Sequence, residues 1–269
     1  MKSKKPLFTV CAIAFCVNLA LFIVKLYIGL RSNSISIYSD AVNNLFDSVS
    51  GLITLVFMAA IVRKSGGSMN LAIDKSEQLF TLLIALCVTG AGFYFGYTAL
   101  ERFIYPTPVW FTAYYAVTIS AAALVKAALF LIYGVFEKKS QSPVIRIMKF
   151  DCILDFFITL MTLITLFVSK NGTYSIDAVF GLIISIIITV TAIRQVISSA
   201  EILVNYVPSA VRDKVEEIYP GAKNEIIYIT TPEGIEAFIK ADVPGADTPA
   251  SAEKCFIETG VKIHKFKGE

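Results

Sequence analysis

Histidine is almost absent from this chain: His264 is the only one in 269 residues. Charge is scarce as well, with Asp, Glu, Lys and Arg making up 17%, against about 25% in an ordinary globular domain. Five cysteines lie scattered at positions 11, 16, 87, 152 and 255 with no CxxC pair among them, so neither a zinc finger nor a disulfide framework is indicated. The net charge is only +3, too small to point to a polyanion such as nucleic acid as partner. What is abundant is apolar: 56% of the residues are hydrophobic, above the roughly 45–50% of soluble domains. Disordered chains and secreted disulfide scaffolds are excluded by the same figures. The few charges are also unevenly spread. The 63 residues from Val207 to Glu269 hold 19 of the 45 charged side chains. A membrane domain at residues 1–206 followed by a small soluble domain at 207–269 is the organisation this predicts.

A spanning helix needs about 20 mostly apolar residues to cross about 30 Å of hydrocarbon. Six segments qualify: Pro6–Leu30, Ile35–Val62, Gln78–Leu100, Pro108–Phe136, Ile145–Val168 and Ser175–Ile197. Between them lie short punctuated connections, such as Arg31-Ser32-Asn33-Ser34, Ser65-Gly66-Gly67-Ser68, Pro106-Thr107-Pro108 and Lys170-Asn171-Gly172. Basic residues flanking spans stay on the cytoplasmic side. Lys2, Lys4 and Lys5 precede the first span, Arg63, Lys64 and Lys75 surround the second loop, and Lys138 and Lys139 occupy the fourth. The other loops hold only Arg31, Arg102 and Lys170. Both termini, and the soluble domain, are therefore expected in the cytoplasm, with the plasma (cell inner) membrane as the site. The first apolar stretch is too long for a signal peptide and lacks a small-residue cleavage site.

Spans three and four contain long uncharged runs, whereas spans two and five do not. The second carries Asp40 and Asp47, and the fifth carries Asp151 and Asp155. An acid near the middle of a span costs about 2.5–3.5 kcal/mol on insertion scales and usually marks an ion or proton pathway. Asn43 and Asp47 are four apart, as are Asp151 and Asp155, so each pair shares one helix face. Entering from opposite sides, span two reaches Asp47 after about 18 Å and span five reaches Asp155 after about 15 Å. Both pairs thus sit near the bilayer middle, where four oxygen-bearing side chains can face one point and hold a metal ion. The alternative is that an acid there is paired with a buried base. Lys25 in span one and Lys126 in span four are the available partners, and two lysines cannot neutralise all four acids.

These residues carry a family resemblance. Six spans, a cytoplasmic tail and paired x-x-x-Asp motifs in spans two and five resemble the cation diffusion facilitator family. The match is strongest in Ser34-Ile35-Ser36-Ile37-Tyr38-Ser39-Asp40-Ala41-Val42-Asn43-Asn44-Leu45-Phe46-Asp47. The resemblance implies a dimeric antiporter that exchanges a divalent metal ion for protons, with Asn43, Asp47, Asp151 and Asp155 as its metal ligands. Zinc transporters of the family generally place His or Asp at the first position of each motif, with His usual in span five. Here those positions are Asn43 and Asp151. Imidazole suits zinc, whereas carboxylate and carbonyl oxygen suit manganese. The set resembles the family's manganese exporters, with Fe2+ or Zn2+ efflux as the alternative. The metal is cargo, and no resident cofactor is expected.

The His-rich stretch usual between spans two and three is replaced by a loop reading Met69-Asn70-Leu71-Ala72-Ile73-Asp74-Lys75, in which Asp74 is a solvated acid. His264 reads as an ordinary surface residue. The tail predicts helices at Val211–Ile218 and Pro249–Thr259, strands at Glu225–Thr230, Ile235–Asp242 and Val261–Phe266, and a turn at Thr231-Pro232-Glu233-Gly234. The fold class expected is therefore an α-helical membrane protein with six transmembrane helices and a small α+β cytoplasmic domain. That domain resembles the family's dimerising module, which makes a homodimer the expected partner state. Gly92-Phe93-Tyr94-Phe95-Gly96 permits close helix approach. Asp177 is expected to cap span six. No enzymatic activity is expected: no nucleophile–base pair is visible in the tail, and the motifs of intramembrane aspartyl proteases are missing. A non-transporting scaffold or heterodimer partner stays open because Asn43 departs from the usual ligand.

Overall fold

The computed structural model describes residues 4–63, 67–140, 143–219, 226–231, 234–240 and 255–266. Six long helices lead the chain: α1 (Lys4–Ser32), α2 (Ile35–Arg63), α3 (Gly67–Ile104), α4 (Ala113–Ser140), α5 (Pro143–Ser169) and α6 (Ser175–Leu203). Long apolar runs without interior proline let each propagate, and polar or Gly/Pro breaks end them. Among the described residues, five helices are long and apolar enough to cross a membrane: α1 and α3 to α6. The protein is a helical membrane protein. Over its described residues α2 differs from these five in its polar first half, which carries Asp40, Asn43, Asn44 and Asp47.

Two boundaries depart from the reading of the sequence. The stretch Met69–Lys75 is not a loop but part of α3, which begins at Gly67. That stretch contains no glycine or proline, and Leu71 and Ala72 favour a helix. In contrast, α4 begins at Ala113 rather than Pro108. Pro106 and Pro108 cannot supply helical amides, and the Trp110 amide instead donates to the Ser32 carbonyl at 2.8 Å.

Two compact units make up the molecule: Met1–Ile73 with Phe80–Val196, and Asp74–Leu79 with Ile197–Glu269. In the first, two apolar clusters lie at opposite ends of the bundle. Val10 and Ala14 of α1, Leu129 and Tyr133 of α4, and Ile145 and Cys152 of α5 form one. Ile28, Ile37, Val109, Ile119 and Leu166 form the other, beside the α1–α2 turn. Between them the same helices carry buried polar residues: Asn18 and Lys25, Asp40 and Asn44, Lys126, and Asp155 with Thr159. Apolar residues such as Ile23, Tyr27, Phe93, Tyr97 and Leu131 are exposed on the outside, as lipid-facing positions are. The α1–α2 turn is tight because Asn33 adopts φ 55°, a left-handed conformation that Asn tolerates. At Gly29 an added Cβ would stand 3.0 Å from the Tyr38 amide nitrogen, so only glycine lets the two helices approach so closely.

In the second unit, α7 (Ser209–Ile218) precedes β1 (Ile226–Thr231), β2 (Gly234–Lys240) and β3 (Lys262–Phe266). β1 and β2 are antiparallel, with Tyr228 opposite Ala237. β2 and β3 are parallel, with Phe238 opposite His264. A parallel pair needs a crossover, and residues 255–259 within it are helical. Pro232, Glu233, Asp242 and the start of the predicted Pro249–Thr259 helix lie outside the described residues. Val215, Tyr219, Ala237, Ile239, Cys255 and Val261 form the core. Burial pushes the Cys255 thiol up from its ordinary value, so it packs as an inert apolar side chain. On the opposite sheet face the His264 ring stacks on Phe238 with centroids 4.9 Å apart. Its Nε2 lies 3.4 Å from a Glu236 carboxylate oxygen, so His264 is engaged by its neighbours.

Candidate metal-transport site

The buried polar layer resolves into two connected groups. The first joins α1, α2 and α5. Lys25 Nζ donates to Asp40 Oδ2 at 2.7 Å and to Thr159 Oγ1 at 2.8 Å, and both ends of the Lys25–Asp40 ion pair are wholly buried. Asn44 adds its amide to Asp40 Oδ1 at 3.3 Å. This is the buried-base pairing expected as the alternative, and it accounts for Asp40, which is not among the four expected ligands.

Around Asn43, Asp47 and Asp155 the second group forms. Asn43 Nδ2 donates to Asp155 Oδ1 at 2.9 Å. The other carboxylate oxygen of Asp155 accepts from Lys126 Nζ. Lys126 also lies 3.9 Å from Asp47 Oδ2 and donates to Asn18 Oδ1 at 2.8 Å. Four helices therefore converge here: α1 through Asn18, α2 through Asn43 and Asp47, α4 through Lys126, and α5 through Asp155. Asp155 is buried, whereas the Asp47 side chain is 33% exposed. The i, i+4 spacing on α2 aims Asn43 and Asp47 at α5, as the helical period requires. Asp151, one turn earlier on α5, is exposed and makes no hydrogen bond to the other three. Among the described residues no three His, Cys, Asp or Glu side chains are gathered closely enough to hold a metal ion. Three of the four expected ligands thus meet, with Lys126 among them and Asp151 at the margin. Asn18 went unnoticed in the sequence because a single Asn in an apolar run carries no spacing signal.

Asp177, in the first turn of α6, does something other than serve its own helix. Its carboxylate accepts from the Ile35 amide at 2.8 Å and the Ser36 amide at 3.3 Å. It also accepts from Ser34 Oγ at 2.6 Å and Ser36 Oγ at 2.7 Å. These are groups at the amino end of α2, where orphan amides and the helix dipole favour an anion. Arg102 stands 3.9 Å from the same carboxylate and donates to the Asn33 carbonyl at 2.6 Å. The start of α2, and so the height of Asn43 and Asp47, is fastened by α3 and α6.

Residues 11–204 match the family model of the cation efflux transmembrane domain. The chain belongs to the cation efflux family. It is 26% identical over 192 residues to an uncharacterized transporter of Methanocaldococcus jannaschii, spanning 71% of this chain and 68% of that one. To the cation-efflux pump FieF of Salmonella newport it is 23% identical over 257 residues, spanning 93% of this chain and 85% of the pump. The FieF pump of Salmonella typhimurium matches with the same figures. This cation efflux protein is accordingly a multi-pass integral membrane transporter, of a family whose members move divalent metal cations and are transporters, not enzymes.

Proposed function

We propose that the protein exports Mn2+ in exchange for protons, with Asn43, Asp47, Asp151 and Asp155 as the cargo ligands. The observation that carries this is the meeting of Asn43, Asp47 and Asp155 midway between two apolar clusters. Every donor atom these residues offer a cation is oxygen, and His264 stands in the second compact unit. Oxygen sets favour a harder ion than zinc, which places Fe2+ and Zn2+ second. Protons are the natural counter-substrate. Once the metal leaves, neighbouring desolvated carboxylates repel one another and take up protons in its place. Exposed Asp151, one turn from Asp155 on α5, completes the set when cargo arrives.

Six spans are part of the same proposal. The Trp110 amide and Pro108 carbonyl bond to Ser32 and Asn33, which supports placing the α3–α4 connection at the same end as the α1–α2 turn. With α1 and α3 both crossing towards that end, α2 has to return the chain across the bilayer. The sidedness of Lys and Arg supports cytoplasmic termini in the plasma membrane, and the small α+β unit is proposed to mediate a homodimer.

Proteoliposomes loaded with a metal-sensing dye test the central reading. Wild-type protein is expected to carry Mn2+ under an imposed pH gradient, and Asp47→Ala and Asp155→Ala to lose at least about 90% of that flux, since even the loss of an outer-shell partner of a metal site costs roughly 10- to 100-fold. Undiminished flux in both variants would sink the proposal.

A further inference from the structure

We propose that Lys126 is a tethered cation built into the cargo site, occupying the metal's place when the site is empty and withdrawing to Asn18 when it is filled. The inference rests on the transport site proposed above and adds a residue that is not a ligand. Lys126 is fully buried, in the middle of α4. Its ammonium is surrounded by oxygens: Asn18 Oδ1 at 2.8 Å, an oxygen of Asp155, and Asp47 Oδ2 at 3.9 Å. Such a shell is what a small hard cation would seek. With Asn43 donating to the remaining oxygen of Asp155 at 2.9 Å, both oxygens of that carboxylate are engaged while the ammonium stays.

Lys126 and a metal ion therefore compete for the same two acids, and like charges cannot share them at close range in a medium poorer than water. The long flexible stem of lysine lets its head group move while its Cα stays in place. Asn18, on a different helix and contributing a neutral carbonyl, offers the head group somewhere to go without a rival charge. Lys25 shows the contrast. It is equally buried, but its partners Asp40 and Thr159 lie outside the Asn43–Asp47–Asp155 group, so it fixes helices and does not meet cargo. A tethered competitor keeps metal affinity moderate, and this favours release on the far side: a site that binds tightly in both orientations lets go slowly.

Two substitutions with opposite expected signs test this in proteoliposomes, with Mn2+ as the probe and half-saturating concentration and maximal rate read separately. Lys126→Met keeps the stem and removes the charge. It is expected to lower the half-saturating Mn2+ concentration by on the order of tenfold while slowing the maximal rate. Asn18→Val removes the resting place, leaves the ammonium on the acids, and is expected to raise the half-saturating concentration severalfold. General damage would shift both variants in one direction, and that result, or an unchanged half-saturation in either, overturns the inference. If Lys126→Met is not recovered as folded protein, Asn18→Asp replaces it. Its added carboxylate draws the ammonium off Asp155, and half-saturation is again expected to fall, opposite to Asn18→Val; a rise overturns the inference. Wild-type protein that moves neither Mn2+, Fe2+ nor Zn2+ would instead overturn the transport reading, and this inference with it.

Discussion

Asn43 faces two demands at once. Its amide nitrogen donates to Asp155, which leaves its carbonyl oxygen as the atom free to meet a cation. Replacing it by His substitutes an imidazole nitrogen for that oxygen, and imidazole shifts preference towards zinc. Asn43→His is expected to raise the ratio of Zn2+ to Mn2+ transport by on the order of tenfold, measured as competing fluxes in the same vesicles. An unchanged ratio would place selectivity outside the ligands. At this scale the sequence was informative where spacing carried the signal. The i, i+4 pairs on α2 and α5 single out Asn43, Asp47 and Asp155, the three side chains that the fold brings together. Lys126 was visible as a buried base, but a lone lysine in an apolar run can snorkel or pair. Only the packing of α4 against α1 and α5 decides which acid it meets. Asp151 shows the converse: its spacing is right, and its side chain is nonetheless exposed.

α2 is the element on which the site depends, and its position is set from outside itself. An acid in the first turn of a helix normally serves that helix, and so Asp177 reads in the sequence as a cap for α6. The partners that make it a cap for α2 lie more than 140 residues earlier in the chain, beyond the reach of any local pattern. The four hydrogen bonds that Asp177 accepts are buried, and charged acceptors in such settings contribute about 1.5–3 kcal/mol each before losses elsewhere. Asp177→Ala leaves the α2 amides unsatisfied. It is expected to lower stability by about 3 kcal/mol, seen as a fall in the melting midpoint of the detergent-solubilised protein. Asp177→Asn keeps one acceptor oxygen and is expected to fall by less. A melting midpoint equal to wild type in Asp177→Ala would show that water satisfies the amides equally well. Flux is expected to suffer along with stability, because Asn43 and Asp47 lie two and three turns down the helix that Asp177 holds.

For the whole molecule, crossing the membrane five times or six places the loops differently. Among the described residues α1 and α3 to α6 are apolar enough to cross, and the polar first half of α2 is the half that makes the site. If α2 crosses, the α1–α2 turn, the α3–α4 connection and the α5–α6 connection all lie outside, and the tail lies with the amino terminus. If α2 does not cross, the α3–α4 and α5–α6 connections lie opposite the α1–α2 turn. Single cysteines at Thr107 and Asn171, in a background with the five native cysteines replaced by serine, separate the cases. A membrane-impermeant maleimide applied to intact cells is expected to label both positions. A cysteine at Glu258 in the tail is expected to react only after permeabilisation. Labelling at Glu258 in intact cells with none at Thr107 would overturn this topology, since it fits five spans or six in the reverse orientation. The charge distribution gives the reason for expecting the first result. Lys138 and Lys139 end α4 and Lys75 precedes the apolar part of α3, whereas the opposite ends carry only Arg31, Arg102 and Lys170. Arg102 is moreover tied to Asn33 and Asp177. Those bonds draw it into the protein and leave that end of the bundle with even less basic charge to hold it in the cytoplasm.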